Sequence, residues 1–183
     1  MHELAGAIAT GIVITGVEGD FSSLTCSTGG DYPSIGISSW EGSRADELLA
    51  SLPGGAFFIG RAYSSLTEEE KQSLQTLLQS PVGRNYQQRL LTKDCLAYAE
   101  ALAEIEGLGQ GASAVYAGLW CPTSTAVVVT FLRNRKNRGP LAELSFVHRL
   151  FYEEYAGAAG CLAYEAGYQS RAAVTYDYAR RFT

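Results

Sequence analysis

The four cysteines of this 183-residue chain, Cys26, Cys95, Cys121 and Cys161, form no C-x-x-C pair, which argues against a structural zinc site. Their even number leaves disulfides and buried free thiols equally open. Lysine and arginine gather only at Arg133, Arg135, Lys136 and Arg138, in a chain of net charge −5. Phosphate binding needs concentrated positive charge, so nucleic acid is not expected as a partner, and the basic run reads as a solvated loop. No apolar run approaches the roughly 20 residues that cross a bilayer, so no membrane insertion is expected. The longest such run near the start, Leu4–Val17, also has Glu3 where a signal peptide would carry a basic flank. A role outside the cell would then need a removed signal, a larger parent chain or a phage-style release route. Gly-x-Ser-x-Gly elbows, glycine-rich phosphate cradles and metal-ligand pairs are missing, and no cofactor or metal is expected.

What the chain does contain fits one globular domain: 46% hydrophobic and 18% charged residues, without repeats or linkers. Leu4–Val17 reads as a first helix, although Gly6, Gly11 and Gly16 and the β-branched Ile12–Thr15 give it poor propensity. Burial must hold it, as for a central helix. Ser43 reads as the cap of a helix with Ala45, Leu48, Leu49 and Leu52 inside, ended by Pro53-Gly54-Gly55. Thr67-Glu68-Glu69-Glu70 is a capping box opening a helix to about Gln79, and Pro81 precedes a long helix reaching Ile105. Ala112–Trp120 looks helical, and Thr123 or Ser124 caps the segment after it. Ala126–Leu132 suits a strand by propensity and a buried helix by its flanks. Leu141–Tyr155 and Cys161–Phe182 read as amphipathic helices, with His148 a structural histidine on an apolar face. The fold class expected is mainly α (α+β), with one small hairpin.

That hairpin lies within Val17–Arg44. Thr28-Gly29-Gly30-Asp31 reads as its turn, and Ser34-Ile35-Gly36-Ile37-Ser38-Ser39-Trp40 as an alternating strand with serines on one side. A glutamate ending a buried helix beside a polar hairpin is a recurrent way to build a sugar-cleaving site. The helix end and apolar wall raise its pKa, and the hairpin supplies hydroxyls and a second carboxylate.

Glu18, Ser34-Ile35-Gly36, Trp40, Gly42 and Arg44-Ala45 resemble the Glu-x-Gly…Ser-Ile-Gly-x-x-Gln-Trp-His-Gly-x-Arg-Ala pattern of lysozyme-like catalytic domains from bacterial and phage cell-wall hydrolases. The chain departs from it at Ser39 and Glu41, where Gln and His are usual. The resemblance covers roughly the first quarter of the chain, with a looser echo around Leu66–Gln88. It implies a lysozyme-like helical domain with the hairpin beside the active-site helix. It also implies a peptidoglycan hydrolase that cuts β-1,4 glycosidic bonds and acts outside the cell or at the cell wall. The acidic surface fits a parent chain with separate wall-binding modules.

Under this reading Glu18 is the general acid, and its ordinary alternative is an exposed helix-end glutamate. Asp31 ranks first as second carboxylate, ahead of Asp20 and Glu41, against the alternative of a plain turn residue. Ser34 orients water or simply faces solvent from a strand. Tyr32 and Trp40 stack on sugars, with a core role open for Trp40. Glu41 points into the cleft, Arg44 fixes an acid or caps the helix surface, and Tyr86 and Gln87 line the far wall. Two rivals stand beside the hydrolase: a lytic transglycosylase or chitosanase in which Glu18 acts alone or with another partner, and a non-catalytic glycan-binding module.

Overall fold

Two glycines on facing helices set the spacing of the larger of two compact units. A computed structural model of residues 1–183 contains eight α-helices and one two-stranded antiparallel sheet, a mainly helical fold. One unit comprises residues 1–17 and 94–183, the other residues 18–93.

In the first unit, α1 (His2–Thr15) meets α5 (Ala112–Gly118) and α8 (Glu165–Ala179). A Cβ on Gly11 would stand 2.6 Å from the Tyr178 ring, and one on Gly118 would stand 2.3 Å from Ile8. The missing side chains are what permit the close approach. Close approach accounts for Gly11 against helix propensity, whereas a Cβ at Gly6 would meet nothing and Gly16 is the left-handed cap of α1. The Tyr178 hydroxyl donates to the Ala7 carbonyl at 2.8 Å. The expectation of a central first helix is corrected here. α1 leaves Val13 and Ile14 exposed, whereas every residue of α5 is buried.

α6 (Cys121–Arg133), α7 (Leu144–Ala158) and α8 surround α5, and the C-terminal part of α4 (Pro81–Ala103) belongs to the same unit. Trp120 is fully buried against Phe151 and Tyr155, each with ring centroids 4.8 Å away. His148 sets its Nδ1 3.2 Å from the Tyr116 hydroxyl and its ring against Tyr176, and burial lowers its pKa. α6 is helical where β-branched propensity allowed a strand. Ser124 breaks it with extended φ/ψ of −179° and 109°, and its hydroxyl accepts from Val127 N, so the anticipated cap is present. The basic run is partly neutralised: Arg135 and Arg138 share Glu154, and Lys136 pairs with Glu106. All four cysteines are unbridged; Cys95 and Cys121 are buried and Cys26 is exposed. Burial pushes the Cys121 thiol up to about 12 and raises that of Cys95 further.

In the second unit, β1 (Leu24–Cys26) pairs with β2 (Pro33–Ile35) in the register Leu24↔Ile35, Thr25↔Ser34, Cys26↔Pro33. The bond from Ser27 N to Tyr32 O closes the expected turn. The alternating strand through Trp40 is not formed. Gly36 and Ser39 both take positive φ, 72° and 47°, and turn the chain so that Trp40 pairs back onto Ile35. Residues 33–38 are all buried, so the serines do not mark a solvent face. α2 (Gly42–Ala50) begins one residue before Ser43, with Glu41 at its N-cap and no side-chain capping bond. α3 (Glu68–Gln79) has the complete capping box between Thr67 and Glu70. Pro81 is the first residue of α4, a position where its missing N–H costs nothing.

Gln87, on α4, ties these pieces together. Its side chain is fully buried, and its Oε1 accepts from Ile37 N at 3.0 Å. Its Nε2 donates to Phe21 O at 3.0 Å and to Leu78 O at 2.9 Å. The expectation that Gln87 contacts substrate is therefore corrected: all three partners are backbone groups of its own unit. Gln87→Leu keeps the volume but strands three backbone groups, at a cost of at least about 2 kcal/mol. Urea unfolding of the variant checks this.

Candidate active site

Glu18 follows two residues after Gly16, the left-handed cap that ends α1. Its backbone is tied to the 36–39 turn, where the Ser39 hydroxyl donates to the Glu18 carbonyl at 2.5 Å. Around it, Gly19 takes φ 137°, Asp20 N donates to the Ser23 hydroxyl, and Gly36 N donates to Ser23 O. Glu18 is thus anchored at the base of the hairpin, against the 36–39 turn. Ser39 does this from a left-handed conformation, which costs a non-glycine residue roughly 1 kcal/mol.

Asp31 lies at the other end of the hairpin. The strand from Gly36 back to Tyr32 spans four residues, about 13 Å at roughly 3.3 Å each. The Asp31 carboxylate turns onto Ser64, accepting from its N at 2.8 Å and from its hydroxyl at 2.5 Å, while Asp31 O accepts from Tyr63 N. These bonds hold its carboxyl below the usual value. Asp31 as the carboxylate opposing Glu18 is corrected: it staples the hairpin tip to residues 63–65. Asp20 is occupied likewise, its Oδ1 accepting from the backbone and hydroxyl of Ser22, which lower its pKa.

Ser34 is buried, and its hydroxyl donates to Ser39 O at 3.3 Å, supporting the turn that carries the Glu18 bond. Trp40 is 5% exposed and packs over Gly36, which corrects its sugar-stacking role in favour of the core alternative. Glu41 is half-buried at the α2 N-cap. Arg44 pairs with Glu47 on its own helix. Tyr86 lines a cavity of about 140 Å³ with Glu47, Arg89 and Lys93. Tyr32, 37% exposed, lines a separate cavity of about 320 Å³. The structure thus brings Glu18, Ser34 and Ser39 to the hairpin base and sends Asp31 and Tyr32 to its tip.

Ser39 was not among the residues expected to act. Only its departure from the usual Gln marked it, since nothing in a run of small residues announces positive φ. No protein-family model, curated protein or solved structure matches the chain.

Two measurements check this geometry. Glycine accepts positive φ without strain, so Ser39→Gly is expected to be about 1 kcal/mol more stable than Ser39→Ala, although both lose the hydroxyl. Denaturant unfolding compares them. Because the depressed Asp31 pKa reflects Ser64, its stabilising contribution is present above the ordinary value of 3.8 and fades as pH falls through the lower folded value. Ser64→Ala is expected to move the Asp31 carboxyl titration, followed by NMR, back up toward 3.8.

Proposed function

We propose that the chain is a lysozyme-like catalytic domain that cleaves the β-1,4 glycosidic bonds of peptidoglycan, with Glu18 as the proton donor. The observation that carries this reading is the anchoring of Glu18 at the hairpin base by a strained serine, directly after the first helix. A general acid must be held within hydrogen-bond reach of the leaving oxygen, and a fixed backbone on either side of the side chain limits its search. The mainly helical fold with one short antiparallel hairpin is in keeping with that family resemblance.

In this reading the acid form of Glu18 protonates the glycosidic oxygen as the bond from the sugar C1 breaks. The resulting carboxylate then accepts a proton from the group that adds to C1. In hydrolysis that group is water. The pairing of Asp31 with Ser64 favours a second course, in which Glu18 works alone and one of the sugar's own hydroxyls closes an anhydro ring. The proton lost from that hydroxyl restores Glu18, so atoms and charge balance without a second carboxylate. The working place of such an activity is the cell wall or the extracellular space.

Glu18→Gln is expected to lower the rate of clearing of purified cell walls by about 10²-fold or more in a variant that still folds and unfolds cooperatively. Mass analysis of released fragments separates anhydro from reducing ends. If wild type and variant are equally inert yet both bind wall glycan, the enzyme reading fails and a glycan-binding module takes its place.

A further inference from the structure

The cavity of about 320 Å³ at the hairpin tip, within the second unit, is lined by Asp31, Tyr32, Gly42, Asp46, Phe58 and Arg61, with Pro33, Ala45 and Leu49 adding apolar wall. Its volume lies at the lower end of ligand pockets. One side is built from α2, where Gly42, Ala45, Asp46 and Leu49 follow helical spacing and share a face. Asp46 is the one charge on that stripe, and it is half-buried.

The other charges around the cavity are already engaged. Asp31 is held by Ser64. Arg61 makes a bidentate pair with Glu70, at 2.7 and 3.1 Å, donates to Ser65 O and lies over the Phe57 ring. Asp46 has no hydrogen bond or ion pair within the protein. Half-buried beside the apolar wall of Pro33, Leu49 and Phe58, this carboxylate leaves its charge open to a cation entering the cavity. The aromatic part is prearranged as well. Tyr32 packs its hydroxyl and one ring edge against the turn because Gly29 and Gly30 have no Cβ, and a Cβ at either would stand 2.7 Å from the Tyr32 side chain. An aromatic face adds attraction for a cation. An anion at the start of α2 would meet Asp46 and Asp31, with the Arg61 donors turned to Glu70 and Ser65, so the cavity disfavours it.

We propose that this cavity binds an alkylammonium group, the side-chain amine of a diamino compound, with its apolar stem along Pro33, Leu49 and Phe58 and its charge between Asp46 and Tyr32. The inference does not depend on glycan cleavage. If that reading holds, the diamino acid of a wall stem peptide is one source of the amine; a free diamine is another.

The test is a titration of the full chain with Nα-acetyl-lysine methylamide, followed by calorimetry and by NMR of backbone amides. Saturable binding with shifts confined to residues 31–33, 42–49 and 58–62 is expected. Loss of binding by the Nε-acetylated and norleucine analogues is expected too, as is weakening of about tenfold or more in Asp46→Asn and severalfold in Tyr32→Leu. Cadaverine binding as well as the lysine amide assigns the site to free diamines; tighter binding of a stem tripeptide assigns it to the wall peptide. Absence of saturable binding, equal binding of the Nε-acetylated analogue, or undiminished binding by a folded Asp46→Asn would overturn the proposal. If Asp46→Asn does not fold, the analogue series on the wild-type protein decides. Wall clearing is scored separately, so a failure of this site and a failure of the Glu18 reading are told apart.

Discussion

A single side-chain amide holds the second unit in register. Gln87 has two donors and one acceptor in use, all on backbone groups, with the bonds to Ile37 and Leu78 buried and the one to Phe21 part-buried. A buried amide has few fallback partners, so each of the three segments it touches has essentially one position that satisfies it. Those segments are the approach to β1 at Phe21, the turn at Ile37 and the end of α3 at Leu78. The turn at 36–39 is the one that carries Ser39, and through it the candidate acid is fixed. Order at Glu18 is therefore inherited from a helix residue whose own side chain never meets solvent.

How much of this was legible in the sequence depends on how local the cause is. The capping box at Thr67–Glu70, the break at Ser124 and the hairpin turn, where the Ser27 hydroxyl accepts from Gly29 N, follow from side chains acting on backbone within four residues, and all are present. The 36–39 turn was missed because its cause is remote. Ile-Gly-Ile-Ser-Ser-Trp alternates well enough to read as a strand, and the amide that bends it lies fifty positions away. The same distance hid the nature of Gln87, which looked like a polar residue available to ligand. Gly11 in α1 was visible but was judged by propensity; its reason is the Tyr178 ring and the Leu119 side chain, which belong to other parts of the chain.

For the site, position was more legible than role. Glu18 and Ser34 do come together at the hairpin base, but the sequence offered no means of knowing that Ser64 would take the Asp31 carboxylate. Trp40 shows the same limit, because an aromatic next to a glycine turn packs or projects according to what stands behind it.

The buried thiols carry a consequence of another kind. Cys95 and Cys121 are sealed in a helical interior that disfavours the thiolate, the form that reacts, so oxidants and alkylating reagents are kept from them for as long as the first unit stays closed. Their labelling rate would then act as a clock for the opening of that unit, while Cys26, out on the hairpin, marks the background against which the clock is read.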